Sequence, residues 1–205
     1  KIFIKNKILT PKYFKLIFKK NMNKKNIIKK IIKKFKFPVV IKPINEGSSV
    51  NVYICNKSNF FNNLNKLKIY DEILVEKFIP GREIQVAILG KKNLGAIELK
   101  PKRKFYDYEA KYNPKAKTEH IIPVNITKKN YEKVNSIALK AHNLLKCRGV
   151  TRSDFRFYKN KFYLLEVNTQ PGMTSLSLVP EIAKYNNISF YQLIKEIIND
   201  AAINK

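Results

Sequence analysis

The chain has 205 residues, 44% of them apolar, with 42 Lys and Arg against 15 Asp and Glu and a formal net charge of +27. That size and apolar content suit one or two soluble globular domains, and no apolar run approaches the ~18 residues needed to cross a bilayer. The charge invites a nucleic-acid partner, but the basic residues are almost all Lys, spread without a stripe through an Ile- and Asn-rich chain, whereas base and bidentate phosphate recognition favour Arg; neither nucleic acid nor membrane is expected as a partner.

The first residue is Lys1, not Met, and the expectation is that the natural start is missing; no signal pattern precedes the first motif. Residues 11 to 18 alternate as a strand does. A helix is expected from about Asn23 to Phe35, where Ile27, Ile28, Ile31, Ile32 and Phe35 form an apolar stripe among lysines; a core-facing stripe outweighs a membrane-surface helix because no aromatic anchor accompanies it. Residues 37 to 43 read as a short buried strand ended by proline, with Asn51 to Cys55 as its hairpin partner. Between them lies Lys42-Pro43-Ile44-Asn45-Glu46-Gly47-Ser48-Ser49-Val50. In a chain with only six glycines this turn is either a plain hairpin or a loop that closes over phosphates, with Lys42 as a point charge. It lacks the strand-to-helix phosphate-loop pattern.

A helix over Asn59 to Leu67 precedes a strand at Ile73 to Glu76. The strand runs into Lys77, Phe78, Ile79 and, past Pro80-Gly81, Glu83: backbone groups at 77 to 79 suit an adenine edge, and the Glu83 carboxylate suits ribose hydroxyls, though any strand-turn-strand reads this way. Residues 82 to 89 and 94 to 99 are strand-like. Residues 101 to 120 are polar, tyrosine-rich and aperiodic, a long loop of the kind kept for function; within it Lys111 suits a terminal phosphate, and Tyr112 suits a hydrogen bond to Ser48, tying two loops over a site and excluding water. A helix follows from about Tyr131 to Lys146. His120 and His142 form no metal or catalytic pair by spacing. Cys55 and Cys147, without a Cys-x-x-Cys or zinc pattern, fit a reducing cytoplasm.

The most informative segment runs from Thr151 to Thr169. If its two strands turn about Asn160, Asp154 lies opposite Glu166 and Arg152 opposite Asn168, all on one face because side chains alternate. A two-residue turn would separate Asp154 from Glu166 unless a bulge restored the phase. Two carboxylates about 5 Å apart repel unless something positive sits between them, and carboxylate and amide oxygens without Cys or His suit Mg²⁺ or Mn²⁺, which complete their shells with water and phosphates. A surface hairpin with scattered charges is the alternative. Directly after it, Asn168-Thr169-Gln170-Pro171-Gly172-Met173-Thr174 leads to Ser177. Gly172 permits close backbone approach to an oxyanion, Ser177 can donate to a carboxylate, and the helix start near residue 178 favours an anion. Helices at about 178 to 185 and 189 to 203 end the chain.

Taken in order, Lys-Pro-x-x-Glu-Gly-Ser-Ser-Val, Glu-Lys-Phe-Ile-x-Gly-x-Glu, Phe-Tyr-Asp-Tyr-Glu-Ala-Lys-Tyr, Arg-x-Asp and Glu-x-Asn-Thr-x-Pro-Gly-Met-Thr-x-x-Ser-Leu resemble the ATP-grasp family and, within it, the D-alanine-D-alanine ligases, over residues 9 to 203. The resemblance implies an α+β ATP-grasp fold, with mainly antiparallel sheets in two subdomains, residues 1–80 and 81–205, clasping a nucleotide. It implies cytoplasmic, ATP-dependent joining of two D-alanines through an acyl phosphate for peptidoglycan and cell-wall synthesis, by a parent enzyme expected to be a homodimer. Two Mg²⁺ or Mn²⁺ ions would rest on Asp154, Glu166 and Asn168. Lys42 and Lys111 would contact phosphates, and Glu76, Lys77, Phe78, Ile79 and Glu83 would bind adenosine. Ser48 and Tyr112 would latch the loops, Arg152 and the Gly172 N–H would stabilise the tetrahedral intermediate, and Ser177 and Leu178 would receive the second substrate's carboxylate. The family's N-terminal substrate domain has no counterpart here, so the chain is expected to be inactive alone. Another ATP-grasp carboxylate-amine ligase and, from a different class, a basic nucleic-acid-binding module are the alternatives.

Overall fold

The computed structural model describes residues 1–19, 23–47, 49–101, 118–174 and 176–201. Two compact units emerge, one of residues 11–79, the other combining Lys1–Thr10 with residues 80–101 and 118–201. The division differs at the N-terminus from the expected 1–80 and 81–205. Ile8 is buried with Ile84, Val86 and Val134, the Leu164 N–H donates to the Leu9 carbonyl at 2.9 Å, and Lys140 Nζ donates to the Asn6 carbonyl at 2.7 Å. The helix α1, Ile2–Lys5, therefore belongs to the second unit.

In the first unit, β1 (Tyr13–Ile17), β2 (Val39–Pro43), β3 (Tyr53–Cys55) and β4 (Glu72–Lys77) form an antiparallel sheet in the order β1-β4-β2-β3. The helices are α2 (Lys24–Lys34) and α3 (Phe60–Lys66). The lysine-rich α2 starts where the Asn23 side chain accepts the Asn26 N–H, satisfying one of the first-turn donors. It buries Ile27 and Ile31, one turn apart on one face, against Phe14, Val39, Ile41, Phe60, Leu64 and Val75. Lys30 lies over the Phe14 ring at 4.4 Å, so the basic face covers apolar surface while its charge stays in water.

The second unit is built on an antiparallel sheet in the order β7-β6-β5-β8-β9. Its strands are β5 (Arg82–Leu89), β6 (Lys92–Lys100), β7 (Glu119–Ile121), β8 (Val150–Tyr158) and β9 (Lys161–Asn168), with helices α4 (Lys128–Leu144), α5 (Leu178–Tyr185) and α6 (Phe190–Asp200). The stretch expected to be loop to residue 120 thus regains strand structure at Glu119, because Glu98, Leu99 and Lys100 extend β6 far enough to pair with β7. One sheet face is the core: Ile84, Val86, Ile88, Phe155, Phe162 and Leu164 pack with Val134, Ala138 and Ala141 of α4. The other face carries the residues at i±2, Glu83, Gln85, Arg152, Asp154 and Arg156. Helix α6 begins at a reciprocal Ser189–Gln192 capping box. Among the described residues no helix is long and apolar enough to cross a membrane.

Candidate functional site

The hairpin between β8 and β9 turns differently from the sequence expectation, yet it delivers the expected pairing. Its loop is the two residues Lys159 and Asn160, both with positive φ (49° and 56°), the requirement of a turn whose twist matches the strands. Next to the turn, Tyr158 pairs with Lys161 and Phe155 with Leu164, a register that continued unbroken would put Asp154 opposite Leu165. The register shifts between Asp154 and Phe155, so Asp154 faces Glu166 and Arg152 faces Asn168. Leu165 is the extra residue, and this bulge keeps Phe162 and Leu164 in the core while returning Glu166 to the polar face.

On that face Asp154 is buried, 4% exposed, and its carboxylate accepts two hydrogen bonds from Arg152, from Nε at 2.8 Å and from Nη2 at 3.0 Å. The guanidinium supplies positive charge directly beside the buried Asp154 carboxylate. Glu166 is exposed and Asn168 half-buried; Asn168 Oδ1 accepts the Gln170 N–H at 3.0 Å. Among the described residues no group of three or more His, Cys, Asp and Glu is arranged for a metal. A cation placed here would have two carboxylates and one amide oxygen to rest on, hard donors of the kind that suit Mg²⁺ or Mn²⁺ and would leave positions for water and phosphate.

Further along the face, Glu83 and Arg156 are paired at 3.1 Å (Oε2 to Nη2), and Arg156 also donates to the Gly81 carbonyl at 3.1 Å. Gly81 has φ +105°, and any added Cβ would meet the Phe157 carbonyl oxygen. Glycine is therefore required where β5 begins, and Glu83 is held two residues later. Gln85 is next on the strand, opposite Asp154. The pattern Glu83-Ile84-Gln85-Val86 alternates in the sequence, which was the available signal for a polar face including Gln85; the sequence reading missed it.

After β9, the Gly172 backbone lies so close to Ser177 that an added Cβ would stand 2.9 Å from Ser177 Oγ. Ser177 precedes α5 without capping it by its side chain; its Oγ instead accepts the Thr174 N–H at 3.0 Å and lies 3.0 Å from Thr174 Oγ1. The Leu178 side chain is buried, so this residue can meet an anion only through its backbone N–H, one of the unpaired donors of the helix start. From β7, His120 Nδ1 reaches Glu181 Oε2 in the first turn of α5 at 2.6 Å. A cavity of about 440 Å³ lies behind this segment, lined by Gln170, Pro171, Met173, Ile194 and Ile197 but by none of Asp154, Glu166 and Ser177, and is separate from the polar face.

In the first unit, Lys42 Nζ and Glu76 Oε2 form an ion pair at 2.9 Å, with side chains 24% and 11% exposed. The sequence reading named both residues but not their pairing, because it depends on β4 lying beside β2 although β3 and α3 intervene in the chain. The Lys77 N–H is taken by the Lys12 carbonyl at 2.8 Å, and the Phe78 N–H points at the Pro38 carbonyl at 3.4 Å. Among the described residues, the Ile79 N–H is the one in this trio without a backbone partner. Of the expected site residues, Ser48, Lys111 and Tyr112 lie outside the described residues.

Residues 3–199 match the family described as the D-ala D-ala ligase C-terminus. The chain is 67% identical over its whole length to the D-alanine–D-alanine ligase of Pelagibacter ubique strain HTCC1062, of which it covers 67%. Among solved structures it is similar to the D-alanine–D-alanine ligase of Bacillus anthracis (TM-score 0.81, 32% identity, 97% of this chain and 64% of that one). The same enzyme complexed with ATP gives a TM-score of 0.77 at 31% identity, over 97% of this chain and 63% of that one. The chain spans between about half and two thirds of the length of the curated relatives it matches.

Proposed function

Since the chain belongs to the D-alanine–D-alanine ligase family and has its ATP-grasp fold of antiparallel sheets and helices, we propose that it supplies the nucleotide- and cation-binding part of a ligase joining two D-alanines into D-alanyl-D-alanine for peptidoglycan precursors. The γ-phosphate of ATP passes to the carboxylate of the first D-alanine, ADP leaves, and the amine of the second attacks the acyl phosphate, expelling phosphate and forming the peptide bond. The ATP complex of the Bacillus anthracis relative supports the choice of nucleotide. The observation that carries the reading is the bulged hairpin that sets Asp154 against Glu166 beside Arg152 and Asn168.

Divalent magnesium or manganese, two ions in all, would be held by Asp154, Glu166 and Asn168 and would supply charge neutralisation for phosphates during in-line transfer. In the second unit, Arg152, once released from Asp154, and the Gly172 N–H are the donors suited to a developing oxyanion. Ser177 Oγ and the Leu178 N–H would receive the second substrate's carboxylate at the start of α5. Glu83 would accept from ribose hydroxyls. In the first unit, the Ile79 N–H would donate to the adenine edge and Lys42, oriented by Glu76, would contact phosphate. Lys111 as a phosphate contact and the Ser48–Tyr112 latch complete the set.

The test is titration of the chain with ATP in the presence and absence of Mn²⁺, followed calorimetrically, with Glu166→Gln and Lys29→Gln as variants and duplex DNA as competitor at physiological ionic strength. Cation-dependent ATP binding, lost in Glu166→Gln and retained in Lys29→Gln, is the expected result. Salt-sensitive DNA binding without any response to ATP would replace this reading with a basic binding module.

A further inference from the structure

Gln85 is completely buried (0% exposed), and among the described residues neither Nε2 nor Oε1 of its amide has a hydrogen-bond partner. A buried amide left unpaired costs stability, and an apolar side chain of the same size would avoid that cost. The position is specific. Gln85 lies on the central strand β5, facing Ile97 on β6 and Asp154 on β8, on the polar face between two ion pairs, Glu83–Arg156 and Asp154–Arg152, neither of which includes it.

The polar neighbour that changes on cation binding is Asp154. A divalent ion and the Arg152 guanidinium are like charges that would compete for one carboxylate, so an ion held by Asp154 would displace the guanidinium. The carboxylate oxygen not turned to the ion is then a buried acceptor without its donor. Gln85 is directly opposite across the strand pair, with Cβ atoms about 5 Å apart. It carries two N–H donors and no charge: a lysine there would repel the ion, and a third carboxylate would add to the repulsion already present. We propose that Gln85 is a positioning residue of the cation site, its Nε2–H donating to the Asp154 carboxylate once Arg152 has released it. This rests on the cation reading given above. Partners of this kind, bonded to a metal-ligating carboxylate, typically change metal affinity by about 10- to 100-fold.

The experiment is Mn²⁺ titration of the 205-residue chain, reading free Mn²⁺ by electron paramagnetic resonance, with thermal unfolding in chelator as the second readout. Wild type is compared with Gln85→Met, Gln85→Leu and Asp154→Asn. Both apolar variants are expected to unfold in chelator at or above the wild-type midpoint, yet to bind Mn²⁺ about 10- to 100-fold more weakly. Wild-type affinity in both apolar variants, with Asp154→Asn impaired, would make Gln85 a packing residue and overturn this inference alone, as would a lowered midpoint in both. Absence of Mn²⁺ binding by wild type, or unimpaired binding by Asp154→Asn, would overturn the cation reading beneath it.

Discussion

Replacing Arg152 by Met separates the two tasks assigned to this residue, because the guanidinium is both the proposed oxyanion donor and the cation now held by Asp154. The bonds removed include two charge-assisted contacts to Asp154 at 2.8 and 3.0 Å, between side chains 15% and 6% exposed. Hydrogen bonds to charged groups contribute about 1.5–3 kcal/mol. The two share one carboxylate, so a single such increment is the appropriate loss. Without divalent metal, Arg152→Met is therefore expected to be about 1.5–3 kcal/mol less stable in urea unfolding. The metal, however, no longer has to displace a guanidinium and recovers the same increment. At about 1.4 kcal/mol per factor of ten, Mn²⁺ should bind roughly tenfold to a hundredfold more tightly than to wild type. The signature is a pair of opposite signs, stability down in chelator and Mn²⁺ affinity up, read by urea unfolding and by Mn²⁺ titration on the same preparation. Loss of stability with unchanged or weakened Mn²⁺ binding would refute the view that Arg152 stands where the cation goes.

Other perturbations probe the supporting structure. Gly81→Ala drives a methyl into the Phe157 carbonyl at a positive-φ position and should lower stability by at least about 1 kcal/mol, measured by chemical denaturation, whereas Gly47→Ala, with open space around it, should change it far less. Burial lowers the pKa of His142 below its ordinary 6.5, so below that pH the unfolded imidazole takes up a proton that the folded one refuses, and stability falls as pH drops from about 7 toward the folded value. In His142→Gln this fall should be shallower in unfolding midpoints compared across pH 5 to 8; parallel curves would dismiss the histidine as its source. Lys42→Met leaves Glu76 without its 2.9 Å partner and should weaken ATP binding, while Lys30→Met, over the Phe14 ring, should not; equal effects on calorimetric affinity would count against a phosphate role for Lys42.

The opposition of Asp154 to Glu166 was legible in the sequence because period-two alternation and a short turn constrain a hairpin strongly. The turn includes Asn160 as expected but is two residues long, which shifts the register beside it by one. A bulge has no composition signature in Phe-Tyr-Leu-Leu-Glu, and here it cancels the shift. Helix spans were readable for similar local reasons, with Asn23, Thr127 and Ser189 accepting first-turn N–H groups at three helix starts. What the sequence hid is long-range. The ion pair of Lys42 with Glu76 and the burial of Gln85 beside Asp154 depend on strand order, and the docking of Lys1–Thr10 on the second unit depends on Ile8 finding the α4 core. None of these leaves a periodic trace along the chain.

A crystal of the chain grown with Mn²⁺ and a non-hydrolysable ATP analogue, measured at a wavelength where manganese scatters anomalously, bears most directly on the cation assignment. The predicted result is anomalous density within coordinating distance of Asp154, Glu166 and Asn168, on the sheet face opposite Phe155 and Leu164. Nucleotide density without anomalous signal at those three side chains, or manganese held by other residues, would contradict it.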